Sequence, residues 1–544
     1  MRTSLLFAAL VTCAATLGAQ TRYLEPVFDG VEVSSPMPYQ NNISVIKAIL
    51  FRNPDSVMQV PDFFQAYTPA GDTETSRPAV IINSTGSYFP QFVGGGIYGT
   101  LRDSAAVETA KRFARMGYVA FVASYRQGWN ATSQNVNTRT GDLLIASYRG
   151  IQDLRSMTRF IRNNADTYGV DGEAVMALGF GTGAYNTYNN NFLDDPQEVN
   201  TLPKFINTDT GNPFLNVGLY GDPDGLVQAP LNLPQNVGAE SRVNFTVGIG
   251  GAMGDTTWIE NDDSEAPVVG LHSVNDQNAP FAVGDVFVPV SPTERLFVIR
   301  VDGPRSTIDR ANRLGVNEPL DEVNQVLRET EDFTTVRSAA LRDVAFTTRD
   351  DIATTFAVEN MYPFVSDLSR NLANRYNWID SAQLAAAVDV YNQRLVAGGG
   401  TAGPSAQQRL GLERITNPNV TSPERAKQVI DTIMAFVTPR AFVALDLGTA
   451  ADVRTFTDVV DIEASDVGFE LFPNPSTDVA TIQVNADVEL QLVALYDAQG
   501  RRVTAAVVSG SEFRMDVTEL PSGMYRIYAQ TSEGTLSTPM MVAH

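Results

Sequence analysis

The chain has 544 residues, with 62 acidic against 39 basic side chains and a formal charge of −23. That balance argues against nucleic acid and anionic membranes as partners and suits an ion-rich exterior. A single cysteine, Cys13, and two histidines, His272 and His544, exclude a disulfide framework, a cysteine metal site and ordinary zinc ligation, so neither a metal nor a cofactor is expected.

Met1 to Ala19 holds one arginine, the apolar run Leu5 to Val11 and the small-residue ending Leu17-Gly-Ala19. This is the pattern of a secretory signal peptide cleaved before Gln20. It is too short to span a bilayer, and no later run is long enough, so no transmembrane segment is expected. Thr12 stands where a lipoprotein signal needs a small residue before its cysteine, so removal of the leader takes the only thiol with it.

Residues 20–70 read as strand-like, with Val31–Val33 and Ile46–Leu50 as the apolar stretches. From Arg77 strands alternate with helices. Ala79–Ile82 is a buried strand followed by the loop Asn83–Ser87, Ala105–Met116 a helix stopped by Gly117, and Tyr118–Ala123 the next strand. Leu144, Tyr148, Ile151, Leu154 and Ile161 recur at helical spacing within a long amphipathic helix over 143–167. The alternation predicts an α/β fold, a mostly parallel sheet covered by helices.

Ala174 to Leu178 is an apolar strand that runs into Gly179-Phe-Gly-Thr-Gly183 and then a helix. That is the setting of the G-x-S-x-G nucleophile elbow, with Gly181 in the place of the serine. A polar excursion fills 186–240, two further strands follow at Val243–Gly250 and Pro267–Leu271, and Val286–Val301 is strand-like. Helices are expected over Asp321–Glu331, Phe364–Ala373, Ser381–Ala397, and from Ser422 until Thr438-Pro439 ends the last. Residues 315–420 are read as a helical insertion that could cap the site. From Phe469 short strands with turns predict a separate antiparallel β-sandwich module of about 75 residues.

Two resemblances follow. Leu471-Phe-Pro-Asn-Pro-Ser476, Leu495-Tyr-Asp-Ala-Gln-Gly-Arg501 and Leu520-Pro-Ser-Gly-Met-Tyr525 resemble, in order and spacing, the type A sorting domain of the Bacteroidetes type IX (Por) secretion system. This implies export by the leader, then passage through the type IX machinery by way of residues 467–544, and an extracellular or outer-surface location. The central part, about 60–445 within a domain expected over 20–460, resembles the α/β-hydrolase family near its carboxylesterase/lipase-like branch. The segments that carry the likeness are Arg77–Gly86 (strand and oxyanion loop), Phe113–Arg126, the elbow, and Ala266–Asp276, whose final aspartate matches the family's triad acid.

A hydrolytic triad needs a nucleophile, a base and an acid that orients the base. Asp276 keeps the acid position, whereas Gly181 removes the nucleophile. The only histidine after the acid is His544, inside the sorting module, and His272 matches a structural histidine of the family. Thr182, as the residue after the nucleophile position, presents its N–H to the oxyanion hole and not its hydroxyl. Ser84, Ser87 and Ser124 have no identifiable base. Losing one triad member costs several orders of magnitude and losing a second adds little, because the triad acts as a unit.

The chain is therefore expected to be an inactive hydrolase homologue working as an extracellular binding or surface protein. Thr85, Gly86, Thr182 and Gly183 would form a cradle for a small-molecule or glycan ligand bearing a carboxylate or polar oxygen. The competing readings are an active carboxylesterase with a rearranged site and a structural or adhesive surface component. The acidic loops Asp222–Gly225 and Asn261–Glu265 lack the full calcium-loop spacing and read as solvated turns.

Overall fold

The computed structural model describes residues 22–51, 56–276, 278–290, 294–329, 358–364, 373–457, 464–497, 502–508, 510–518, 520–532 and 534–544. The signal peptide expected over 1–19 falls outside the described residues. The described residues divide into two compact units, one comprising 22–324 and 358–449 and the other 325–329 and 450–544.

The first unit is built on a nine-stranded sheet. Its strands are β1 (Val31–Val33), β2 (Met37–Ser44), β3 (Met58–Pro69), β4 (Arg77–Asn83), β5 (Val119–Ala123), β6 (Val170–Phe180), β7 (Phe245–Ile249), β8 (Val268–Ser273) and an edge strand over Met361–Phe364. The order is β1-β3-β5-β4-β6-β7-β8-edge, with β2 also on β3. Pairing is parallel from β5 to the edge strand and antiparallel among β1, β2, β3 and β5. Central parallel strands are covered on both faces, so they are continuously apolar: every residue of β5 and β7 is buried. Each Val, Ile or Phe buried this way contributes about 1.5–3 kcal/mol. The chain lays β5 on one side of β4 and β6 on the other, which opens a crevice at the C-terminal ends of β4 and β6.

Helix α1 (Ser104–Arg115) ends before Gly117, whose φ of 105° only glycine adopts at ease. Helix α2 (Val136–Asn163) is capped by Asn135, whose side chain accepts from the Thr138 N–H. The polar excursion after β6 holds little regular structure, and α2 supplies the donors its carbonyls need. Tyr148 Oη donates to Gly221 O at 2.9 Å and Gln152 Nε2 to Tyr220 O and Asp222 O at 2.7 and 2.8 Å. Arg155 reaches Leu193 O at 2.6 Å, Arg159 reaches Asp224 O at 2.8 Å, and Arg162 reaches Glu240 O and Arg242 O at 2.7 and 2.6 Å. Buried backbone carbonyls must be paired, and guanidinium forks pair several at once.

Several elements differ from the sequence reading. Ile46–Phe51 is a helix, not a strand, since a short apolar run has no decisive period. Val286–Val301 splits into the antiparallel strands β9 (Val283–Pro289) and β10 (Arg295–Asp302). A helix unnoticed in the sequence, α3 (Pro304–Leu314), follows with Pro at its first position and Gly315 in the left-handed conformation at its end. Met361–Phe364, inside the stretch read as a helical insertion, pairs in parallel with β8 as the sheet's edge strand. Phe364 therefore ends a strand, and the rest of the helix expected to Ala373 falls on residues 365–372, outside the described residues. Helices α4 (Ser381–Ala397), α5 (Ala406–Thr416) and α6 (Pro423–Ala444) are present. Pro439 does not end α6: burial of Ile433, Val437 and Ala441 outweighs one lost backbone bond.

The second unit contains two antiparallel sheets. One pairs Glu470–Phe472, Val479–Gln483 and Glu512–Asp516, and the other pairs Arg502–Val507, Leu490–Asp497, Gly523–Thr531 and Gly534–Val542. Alternate residues such as Ile482, Leu495, Ile527, Ala529 and Met540 fill its core.

Candidate functional site

The elbow is preserved as backbone. Gly181 sits at φ 55°, ψ −112°, between the end of β6 and the first turn of a helix over Thr182–Phe192. Its N–H donates to Ile249 O at 2.8 Å, and its carbonyl accepts from Ala184 N at 3.0 Å. A non-glycine residue held in such a conformation carries about 1–3 kcal/mol of strain, and glycine carries none from a Cβ. The flanking glycines are fixed by close approach. A Cβ on Gly179 would fall 2.1 Å from Gly183 O, and one on Gly183 would fall 2.2 Å from Asn83 O.

The space for a side chain at 181 is already taken. A Cβ there would stand 2.2 Å from Thr85 Oγ1 and 3.0 Å from Thr85 Cβ. Thr85 thus comes from the oxyanion loop into the volume of an elbow nucleophile. Thr182 Oγ1 is 2.9 Å from Tyr125 Oη, which also donates to Ser84 O at 2.9 Å. Tyr376 closes the other side, with its ring 4.9 Å from Phe180. Gly86 has φ 143° and abuts Gly99, whose Cα would lie 2.7 Å from an added Cβ. Thr85, Gly86, Gly181 and Thr182 remain half-buried, and Gly183 is buried. The N–H groups of Thr182 and Gly183 are first-turn donors with no acceptor inside their helix.

Asp276 lies past the end of β8, where the acid is expected, but it caps its own turn. Its Oδ1 accepts from Asn278 N at 2.7 Å and Ala279 N at 3.1 Å. Burial raises its pKa, opposed by the nearby His272 and those two N–H groups. His272 is fully buried, with Nε2 3.0 Å from Ala279 O and 4.0 Å from Asp276 Oδ2. Because a carbonyl only accepts, Nε2 is assigned the proton. Burial lowers the His272 pKa and holds the ring neutral. The imidazole is thus committed to the strand end, as the resemblance implied for it.

The other hydroxyls have structural work. Ser84 Oγ donates to Thr100 O at 3.2 Å, and Ser124 Oγ accepts from Phe63 N at 2.9 Å. His544 belongs to the second unit, where Nε2 is 2.9 Å from Leu520 O. In the acidic loops, Asp222 Oδ1 accepts from the N–H groups of Leu226 and Val227, Asp224 pairs with Arg155, and Glu265 accepts from Glu260 N and Asn261 N. Among the described residues no cluster of His, Cys, Asp or Glu could hold a metal ion.

Helices α4 and α5 pack over the loop that follows Thr85: Leu384, Val388 and Leu410 share an apolar cluster with Phe92, Ile97 and Tyr98. Tyr376 and Arg375, on the stretch leading to α4, were not singled out in the sequence. No motif marks them, since their roles come from chain segments distant in sequence meeting at the sheet's C-terminal edge.

The strand order, the elbow and the acid turn define the first unit as an α/β-hydrolase fold. Residues 470–543 match the family described as the Secretion system C-terminal sorting domain. That tail marks the chain for the outer cell surface or the extracellular space through the type IX machinery. Similar solved structures include a propionate-bound thermophilic esterase of Thermogutta terrifontis, at 17% identity and TM-score 0.26, covering 47% of this chain and 76% of that one. Another is MGS-M1, an α/β hydrolase from a Medee basin deep-sea metagenome library, at 13% identity and TM-score 0.25, covering 46% and 73%. No curated protein matches the chain. No helix among the described residues is long and apolar enough to cross a membrane.

Proposed function

We propose that the chain acts outside the cell as a non-hydrolytic α/β-hydrolase homologue, a binding or surface protein that does not cleave esters. The observation that carries this reading is the elbow, where glycine replaces the nucleophile and Thr85 Oγ1 occupies the space a serine side chain needs. The base is missing as well: His272 is neutral, buried and bonded to Ala279 O. With both absent, residual catalysis by oxyanion donors and binding alone is about 10³-fold over water. A ligand with a carboxylate or glycan oxygen would meet the half-buried Thr85, Gly86 and Thr182, with the N–H groups of Thr182 and Gly183 directed at it by the helix start.

The mature chain, given p-nitrophenyl acetate and butyrate and a fluorophosphonate probe, is expected to show buffer-level hydrolysis and no covalent label. Turnover above buffer that disappears in Thr85→Ala or Thr182→Ala would establish a rearranged hydrolase instead. Glycan-array or carboxylate binding that is lost in Thr182→Arg supports the cleft as the binding site. Absence of any bound glycan or carboxylate would favour a structural surface component.

A further inference from the structure

Tyr39 apart, the buried side chains of β2 are polar: Gln40, Asn42 and Ser44. An outer strand seated this way has little apolar contact to hold it, so it opens more readily than the central strands. Gln40 faces Asp62 across the β2–β3 pairing. Its Nε2 donates to Asp62 Oδ2 at 2.9 Å and to Asp153 Oδ1 of α2 at 2.6 Å, so one amide nitrogen joins two buried carboxyl groups. We propose that a proton held on Asp62 completes this junction and latches β2 to α2, fastening the strand in acidic surroundings and loosening it as the pH rises to neutrality.

The hydrogen bonds around the junction support the proton. Asp153 has its own cation: Arg126 Nε donates to Oδ1 at 2.8 Å and the Arg126 backbone N–H to Oδ2 at 2.6 Å. The other guanidinium nitrogens of Arg126 are committed to Leu231 O, Gln152 Oε1 and Asn232 Oδ1. Arg149 Nε and Nη2 donate to Ile145 O and Gly128 O, and its Nη1 has no partner. Neither guanidinium bonds Asp62. Gln40 Oε1 is buried without a donor, so the junction is short of one, and a carboxylic O–H on Asp62 adds it. A second buried carboxylate would instead repel that of Asp153 with no cation in contact.

The titratable and charged groups facing Asp62 are Tyr39 from β2, Asp153 and Arg149 from α2, and Arg126 from the segment after β5. Burial raises the Asp62 pKa to about 7, Asp153 adds to the rise, and Gln40, Arg126 and Arg149 oppose it. Burial also raises the Tyr39 pKa and keeps that ring neutral, while Arg149, lowered by burial to about 10, stays a cation. With β2 detached, Asp62 would titrate near about 3.9. Its contribution to fastening is therefore whole below about pH 4 and is lost as the pH rises to about 7. None of these residues belongs to the Thr85–Thr182 cradle, so the latch does not depend on whether that cleft binds a ligand.

The test follows amide hydrogen exchange of the full mature chain at about pH 5 and about pH 7.5, with each rate corrected for chemical exchange at that pH. The opening constant of the β2 amides is expected to rise at least about tenfold between the two. In Asp62→Asn, neutral at both values, the rise should shrink to about twofold or less. Asp62→Ser, neutral as well, carries the comparison if Asp62→Asn does not fold. Other buried acids, such as Asp103, titrate alike in parent and variant, so the difference isolates Asp62. A β2 opening constant indifferent to pH in the unaltered chain, or one that rises equally in the neutral variant, would overturn the latch.

Discussion

The ends of β6 and β8 are where the hydrolase resemblance sets a nucleophile and its acid, and the two places differ from that pattern in opposite ways. At the elbow the backbone conformation is intact and the side chain is gone. At the acid turn the carboxyl is present and accepts from two N–H groups of its own loop. The contrast shows what each feature was fastened to. Elbow geometry is held by packing of the helix start on β4 and β6, where Gly179 and Gly183 leave no room for a Cβ. The carboxyl of Asp276 is fastened to the backbone N–H groups of the turn that follows it.

Four substitutions can break or sharpen this contrast. The largest effect is expected from Gly183→Ala, whose Cβ would meet the backbone carbonyl of Asn83 at 2.2 Å. Backbone cannot move aside cheaply, so urea denaturation should show a loss of about 3 kcal/mol or more. A loss under about 1 kcal/mol would mean that packing does not impose the elbow.

Gly181→Ser comes next, at about 2–3 kcal/mol from elbow strain and the Thr85 clash combined. Since the clash is with one short side chain, Thr85→Gly in the same molecule should recover at least about 1 kcal/mol of it in a double-mutant cycle. Additive losses would show that Thr85 does not hold the nucleophile's space. Neither variant is expected to gain esterase activity, because no base is supplied.

Asp276→Asn should have the smallest effect. The folded carboxyl has a raised pKa, so the native state holds a proton that the unfolded state, with a pKa of about 3.9, has released. Stability contributed by this group is therefore present below about pH 4 and lost as pH rises through the folded pKa. Asparagine keeps an acceptor for Asn278 and Ala279 and removes that loss. The variant should match the parent near pH 4 and exceed it by about 1 kcal/mol at pH 8. A variant that matches the parent near pH 4 and is less stable than it at pH 8 would show that the carboxylate charge is itself required.

Much of this arrangement was legible in the sequence. The alternation from Arg77 onward, the Gly179/Gly183 frame and the position of Asp276 after an apolar strand rest on local patterns of period and spacing, and the fold follows from them. Occupation of the elbow by Thr85 was not legible, because residues 85 and 181 meet only through the parallel pairing of β4 with β6. The edge strand Met361–Phe364 escaped notice for a related reason. Four residues are too few to display a period, and only β8 makes them a strand. Pro439 misled because a proline signal is local, whereas the burial that overrides it comes from the whole length of α6.

The carbonyl ladder along α2 has a consequence for life outside the cell. Secreted chains commonly fasten long irregular segments with cystines, yet the only cysteine here is Cys13. Tyr148, Gln152, Arg155, Arg159 and Arg162 fasten the irregular segment between Leu193 and Arg242 instead, through side-chain bonds to its peptide carbonyls. These clasps contain no sulfur, so thiol–disulfide exchange leaves them unchanged. The segment should therefore resist extracellular proteases equally well under reducing and oxidising conditions, a redox indifference that a cystine-stapled loop does not have.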